Sequence, residues 1–152
     1  MRRYFEDYAV GSSAEFGAIE VSADEIVAFA TAYDPQPFHL DGAGASSPYG
    51  GLIASGWHTA SMAMRVMVDH VVDGETSLGS PGLGPIRWLH PVRPGDVLRV
   101  RVHVVAARPS ASKPDRGTIT YEVDVLNGQD EVVMHVDDWI AIVRRRPSDV
   151  AK

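Results

Sequence analysis

The chain contains no cysteine, which removes disulfide scaffolding, thiolate catalysis and thiolate zinc sites and suits a reducing compartment. It also lacks an apolar run long enough to cross a bilayer. About eighteen uninterrupted apolar residues are needed, and Arg65, Asp69 and His70 interrupt the longest candidate. Basic charge is in deficit too. Lys and Arg total 14 against 20 Asp and Glu, a net charge of −6, so the basic face that binds nucleic-acid phosphates is not expected. The one basic run, Arg144-Arg145-Arg146, stands where an apolar strand stops before Pro147. It reads as a solvated strand end that discourages edge pairing. The start, Met1 to Asp7, turns acidic where a secretion signal would need its apolar stretch, so an unexported, cytoplasmic protein is expected. Internal repeats, low-complexity tracts and interior linkers are missing as well.

What remains is 152 residues at 45% apolar content, the size and hydrophobicity of one domain with a real core. Residues 1–146 are expected to form it, with 147–152 a C-terminal tail. Ser22-Ala23-Asp24-Glu25 has the Ser-x-x-Glu spacing of a capping box, and Val21 and Ile26 can close as an apolar staple, which marks a sharp helix start. The apolar positions Ile26, Val27, Phe29, Ala30 and Tyr33 follow at helical spacing, and the helix must end near Asp34, because the residue before Pro35 is pushed out of the helical region. From Ser55 through Val72 the pattern is again helical, now apolar almost all round, which predicts a buried helix whose methionines fill the core. Later the period changes to two. Leu98, Val100, Val102 and Val104 alternate with polar residues, as do Ile119, Tyr121, Val123 and Val125, and Val132 to Val143 makes a further long strand. Pro94-Gly95 and Asn127-Gly128 read as hairpin turns. The expected fold is α+β, an antiparallel sheet on one long buried helix, whose exposed edges favour a homodimer.

Asp34 and His39 are the residues best suited to chemistry. Fully extended, five residues span about 17 Å, so the segment must curve for the two side chains to meet. Pro35 and Pro37 limit how it does so and stiffen the loop. An imidazole titrates near neutrality and a partly desolvated carboxylate approaches it, so one can take a proton while the other gives one. On spacing alone the segment reads equally as a carboxylate capping a turn and a satisfied core histidine.

The stretch Phe29 to Asp41, with Asp34-Pro35-Gln36-Pro37-Phe38-His39 at its centre, resembles the Asp-x-Asn-Pro-x-His motif of the MaoC-like dehydratases, the (R)-specific enoyl-CoA hydratase group. Tyr49 to Trp57 resembles that family's entry into its central helix. Ile86 to Asp96, with Pro91-Val92-Arg93-Pro94-Gly95-Asp96, resembles its hairpin. The resemblance implies a single hot-dog domain, Asp34 and His39 as the catalytic dyad, an oxyanion-binding N–H at Gly56, and Ser61 as a supporting serine. It implies hydration of a trans-2-enoyl-CoA-like thioester, with acyl-CoA or another acyl thioester as partner, no cofactor and no metal.

Two departures stand out. The family's asparagine is Gln36 here, preceded by Pro35, and the histidine frequent before the glycine is Ser55, which joins Gly56 among the candidate substrate-binding residues. Without the resemblance, Gly56 reads as a plain tight turn and Ser61 as a hydroxyl bonded back to its own helix. His58 reads as a buried or surface histidine, and a metal set of His39, Asp41 and His58 lacks a known ligand spacing. The competing readings are a hot-dog thioesterase, which would place its carboxylate on or beside the central helix, where Asp69 is too far along, and a non-catalytic acyl-binding module.

Overall fold

A computed structural model describes residues 2–41 and 47–150. The alternating segments form the three long strands of one antiparallel sheet: β3 (Val97–Pro109), β4 (Arg116–Leu126) and β5 (Val132–Arg144). Two shorter strands, β1 (Ser13–Glu20) and β2 (Ile86–Trp88), close its edges in the order β1-β3-β4-β5-β2. Along β3, Leu98, Val100, Val102 and Val104 are buried, as the period of two requires. Ile119, Tyr121, Val123 and Val125 of β4 and Val133, Met134, Val136, Trp139, Ala141 and Val143 of β5 continue the core.

Helix α3 (Gly56–His70) lies on this surface and buries Met62, Ala63, Val66 and Met67. Burying the valine or a methionine contributes roughly 1.5 to 3 kcal/mol of transfer free energy each, and the alanine methyl less than about 1 kcal/mol. The helix is not buried all round. Trp57, Met64 and Val68 fall on one exposed stripe, because a continuous apolar sequence carries no signal of which side meets the sheet. Two shorter helices precede it, α1 (Ala23–Tyr33) and α2 (Pro37–Leu40). The result is the hot-dog arrangement, α+β, a sheet wrapped round one central helix.

Four sequence expectations change in detail. Pro94-Gly95 does turn the chain, with Gly95 at φ +89°, but it does not join a hairpin. β2 pairs with β5 and β3 lies between β1 and β4, while Gly95 and Asp96 bond to Val21 at the end of β1. Tyr33 is exposed, and α1 buries Ile26 and Ala30 instead. The arginine run is not simply solvated: Arg145 pairs with Glu6 at 2.9 Å and Arg146 with Asp7 at 2.5 Å, clasping the 3-10 turn Phe5–Asp7. Of the expected tail, Pro147–Val150 forms a short helix, α4, and 151–152 lie outside the described residues.

Candidate active site

The site begins with the cap of α1. The Ser22 hydroxyl accepts the Glu25 N–H at 3.1 Å, satisfying one of the free donors of the first turn, and Val21 and Ile26 are both buried beside it. The helix runs until Pro35 forbids it to continue, leaving Asp34 at its C-terminal cap with φ −151° and ψ 66°. Pro37 then opens α2 at its first position, where its fixed φ fits and its missing N–H costs nothing. The loop is closed by Gln36 N–H to the Asp34 carbonyl, 2.8 Å, and His39 N–H to the Gln36 carbonyl, 2.9 Å. This fold-back brings His39 Nε2 to 3.3 Å from Asp34 Oδ2.

Each side chain of the pair is held by further bonds. His39 is buried, and its Nδ1 lies 2.8 Å from the Ile53 carbonyl. That carbonyl is itself fixed, since Ile53 N–H bonds to Phe38 and Ala54 N–H to Val92. Asp34 Oδ1 accepts the Gln36 amide at 2.6 Å and Oδ2 accepts the Ser55 hydroxyl at 2.7 Å. The Gln36 amide, then the Ser55 hydroxyl, hold the Asp34 carboxyl below the ordinary carboxylate range, with the His39 ring adding to the effect and burial opposing it. The asparagine-to-glutamine departure thus places an amide directly on the carboxylate.

Ser55 also starts α3. Fully buried at the N-cap, it accepts the Trp57 N–H at 3.3 Å. Gly56 follows as the first helical residue, so its N–H has no partner within the helix and sits at the positive end of the dipole. Trp88 explains why a glycine stands here. Its indole N–H donates to the Gly56 carbonyl at 2.9 Å, and a Cβ at position 56 would lie 2.5 Å from the indole ring. Asp34, Gln36, His39 and Gly56 line one cavity of about 440 Å³ with Trp57 and Trp88 among its walls, a volume in the range of small-molecule sites.

The structure therefore brings together Asp34, His39, Ser55 and Gly56, and sets Ser61 apart. The Ser61 hydroxyl donates to the Trp57 carbonyl at 2.7 Å and shares the exposed stripe of α3 rather than the cavity wall. His58 is also separate: its ring stacks on Phe29 at 4.9 Å, and burial pushes its imidazole pKa down against the opposing influence of Glu25. Among the described residues, no three His, Asp or Glu side chains gather as a metal site. Asp69 pairs with Arg65 on the surface, near the far end of α3. Sequence reasoning missed the roles of Ile53 and Trp88. Nothing in their local pattern points to partners fourteen and thirty-two residues away.

A sheet wrapped on one helix, with a carboxylate–imidazole pair beside that helix's N-terminus, defines a hot-dog protein with an acid/base pair on its cavity wall. More specifically, the MaoC-like domain matches residues 7–127, and the chain belongs to that family. It is 42% identical to a MaoC-like dehydratase from Rhodospirillum rubrum, covering 96% of this chain and 99% of that one with a TM-score of 0.86. An uncharacterized Bacillus subtilis protein, YdeM, is 26% identical over 92% of this chain and 98% of its own length. The R-hydratase PhaJ1 from Pseudomonas aeruginosa shares the fold, with 23% identity, a TM-score of 0.71, and coverage of 94% of this chain and 86% of that one.

Proposed function

We propose that the protein reversibly adds water across the double bond of a trans-2-enoyl-CoA-like thioester, with Asp34 and His39 as the catalytic pair. The observation that carries this is the 3.3 Å contact of the two side chains on the wall of the cavity that Gly56 also lines. A thioester carbonyl directed at the Gly56 N–H would have its developing enolate charge stabilised by a positioned donor, a contribution of about 3 kcal/mol. Water held by the pair would then attack the distal carbon, which conjugation to the thioester already makes electrophilic. The chemistry asks for no cofactor. Membership of the MaoC-like family and the likeness to an R-hydratase support the same reading.

A thioesterase needs its carboxylate or water beside the carbonyl carbon, and Asp69, surface-paired with Arg65, does not offer it. A second copy of the chain completes the proposal. Trp57 and Trp88 meet edge to face at 5.3 Å and are both exposed, an apolar surface beside the cavity suited to a partner subunit.

The test is to incubate the protein with enoyl-CoAs of several chain lengths and follow both loss of the conjugated double bond and release of free CoA. Hydration that falls by two orders of magnitude or more, roughly, in Asp34→Asn and in His39→Ala supports the proposal. Thiol release without hydration, or tight binding without either reaction, overturns it.

A further inference from the structure

The bonds around the pair are asymmetric, and the asymmetry assigns the proton. A carbonyl only accepts, so His39 Nδ1, 2.8 Å from the Ile53 carbonyl, carries the hydrogen of the neutral ring, and Nε2 presents a lone pair. A carboxylate only accepts as well, so the Gln36 atom at 2.6 Å from Asp34 Oδ1 is the amide nitrogen, and the Ser55 hydroxyl points its hydrogen at Oδ2. Both carboxyl oxygens therefore face donors. Each of these bonds is stronger to the ionised carboxylate than to the neutral acid, so both favour the charged form of Asp34.

We infer that Gln36, acting with Ser55, fixes Asp34 as a standing carboxylate, so that His39 Nε2 alone carries the proton in both halves of the hydration. The inference rests on the hydratase reading and deepens it. A water molecule bridging Nε2 and Oδ2 from the cavity side meets two acceptors. It donates one hydrogen to each and turns its oxygen lone pairs outward. As the oxygen bonds to the distal carbon, one water proton passes to Nε2, and the π pair moves through the adjacent carbon onto the thioester oxygen at the Gly56 N–H. The enolate then collapses, and the carbon next to the carbonyl takes the proton from Nε2, which returns His39 to neutral. One water is added and nothing else is consumed. Asp34 holds the water and stabilises the transient imidazolium. Gln36 is a positioning residue.

The scheme has a signature in pH. The competent state holds neutral His39 and ionised Asp34 in both directions, so kcat/KM rises with pH through one ionisation and then stays level. A mechanism using a protonated Asp34 as acid needs one proton on the pair and falls again at higher pH. Gln36→Leu removes the donor on Oδ1. It should lower kcat roughly tenfold, the equivalent of one hydrogen bond to a charged group, and move the Asp34 titration, read by carbon-13 NMR of its carboxyl, to higher pH. Gln36→Asn, which keeps an amide, should restore most of both.

Turnover with a falling alkaline limb overturns the inference while leaving the hydratase reading in place. An Asp34 titration unmoved by Gln36→Leu overturns the role of Gln36. Absence of wild-type turnover overturns the hydratase reading and the proton route with it, and the carboxyl titration then decides the role of Gln36 by itself.

Discussion

The hydroxyl of Ser55 makes two bonds with different consequences. It donates to Asp34 at 2.7 Å and accepts the Trp57 N–H at 3.3 Å, so the same atom caps α3 and supports the carboxylate. Ser55→Ala is expected to lose about 1 kcal/mol of stability as a missing N-cap, seen as a lower urea midpoint, and to lower hydratase turnover beyond what the unfolded fraction explains. Ser61 is the contrasting case. Resemblance gave it a supporting role, yet its hydroxyl bonds to its own helix at Trp57. Ser61→Ala should change stability by less than about 0.5 kcal/mol and leave turnover unaltered. A tenfold loss of turnover there would mean that this serine reaches the substrate. Residue type and position follow from the resemblance, whereas the partner of a hydroxyl on a helix is set by the helix itself.

At the level of elements, the junction of α3 with β2 has the least tolerance. The Trp88 ring occupies the space that a Cβ at position 56 would need, so Gly56→Ala must displace the indole or the first turn of the helix. The expected cost is about 1 to 3 kcal/mol, as for an overpacked core. Trp88 fluorescence should change with it, and turnover should fall because the Gly56 N–H moves. An unchanged emission spectrum and a normal urea midpoint would contradict this picture. The course of α1, from the Ser22 cap to its stop before Pro35, was legible because capping and proline act within a few residues. So were the three long strands, each with a clear period of two. β1 was not legible: it is an edge strand with no fully buried side chain, and its register shifts between Phe16 and Ile19. The pairing of β2 with β5 was hidden for another reason, since three residues carry no period and their partner lies far along the chain. In the site, Asp34, His39 and Gly56 could be named from spacing and motif. The bonds from Gln36 and Ser55 could not, because they depend on how the loop folds back.

Across the whole molecule, one register row crosses all five strands: Glu15, Arg101, Asp124, His135 and Arg87 are successive partners. Arg101 pairs with Glu15 at 3.2 Å, and His135 bridges Asp124 at 2.6 Å and Asp137 at 3.0 Å. Both ring nitrogens of His135 face carboxylates, so the bridge needs the protonated ring. The bonds to Asp124 first and Asp137 second raise its pKa, with burial opposing. Because the folded value lies above the unfolded one, this stabilisation is complete below the unfolded value of about 6.5 and is lost as pH rises through the raised folded value. Urea midpoints of the wild type should therefore fall more steeply than those of His135→Gln between about pH 6 and pH 9. The difference should be on the order of 1 kcal/mol, and parallel curves would rule the bridge out as a contributor.

The sheet supports the central helix, and the helix carries the Gly56 N–H that shares one cavity with the carboxylate and the imidazole. The most direct test of what that arrangement does is product mass after incubation with a trans-2-enoyl-CoA in water enriched in oxygen-18. Hydration predicts an intact thioester that has gained one water, with the label on the carbon distal to the carbonyl. Label in a released carboxylate, or an enoyl thioester recovered unchanged, would contradict it.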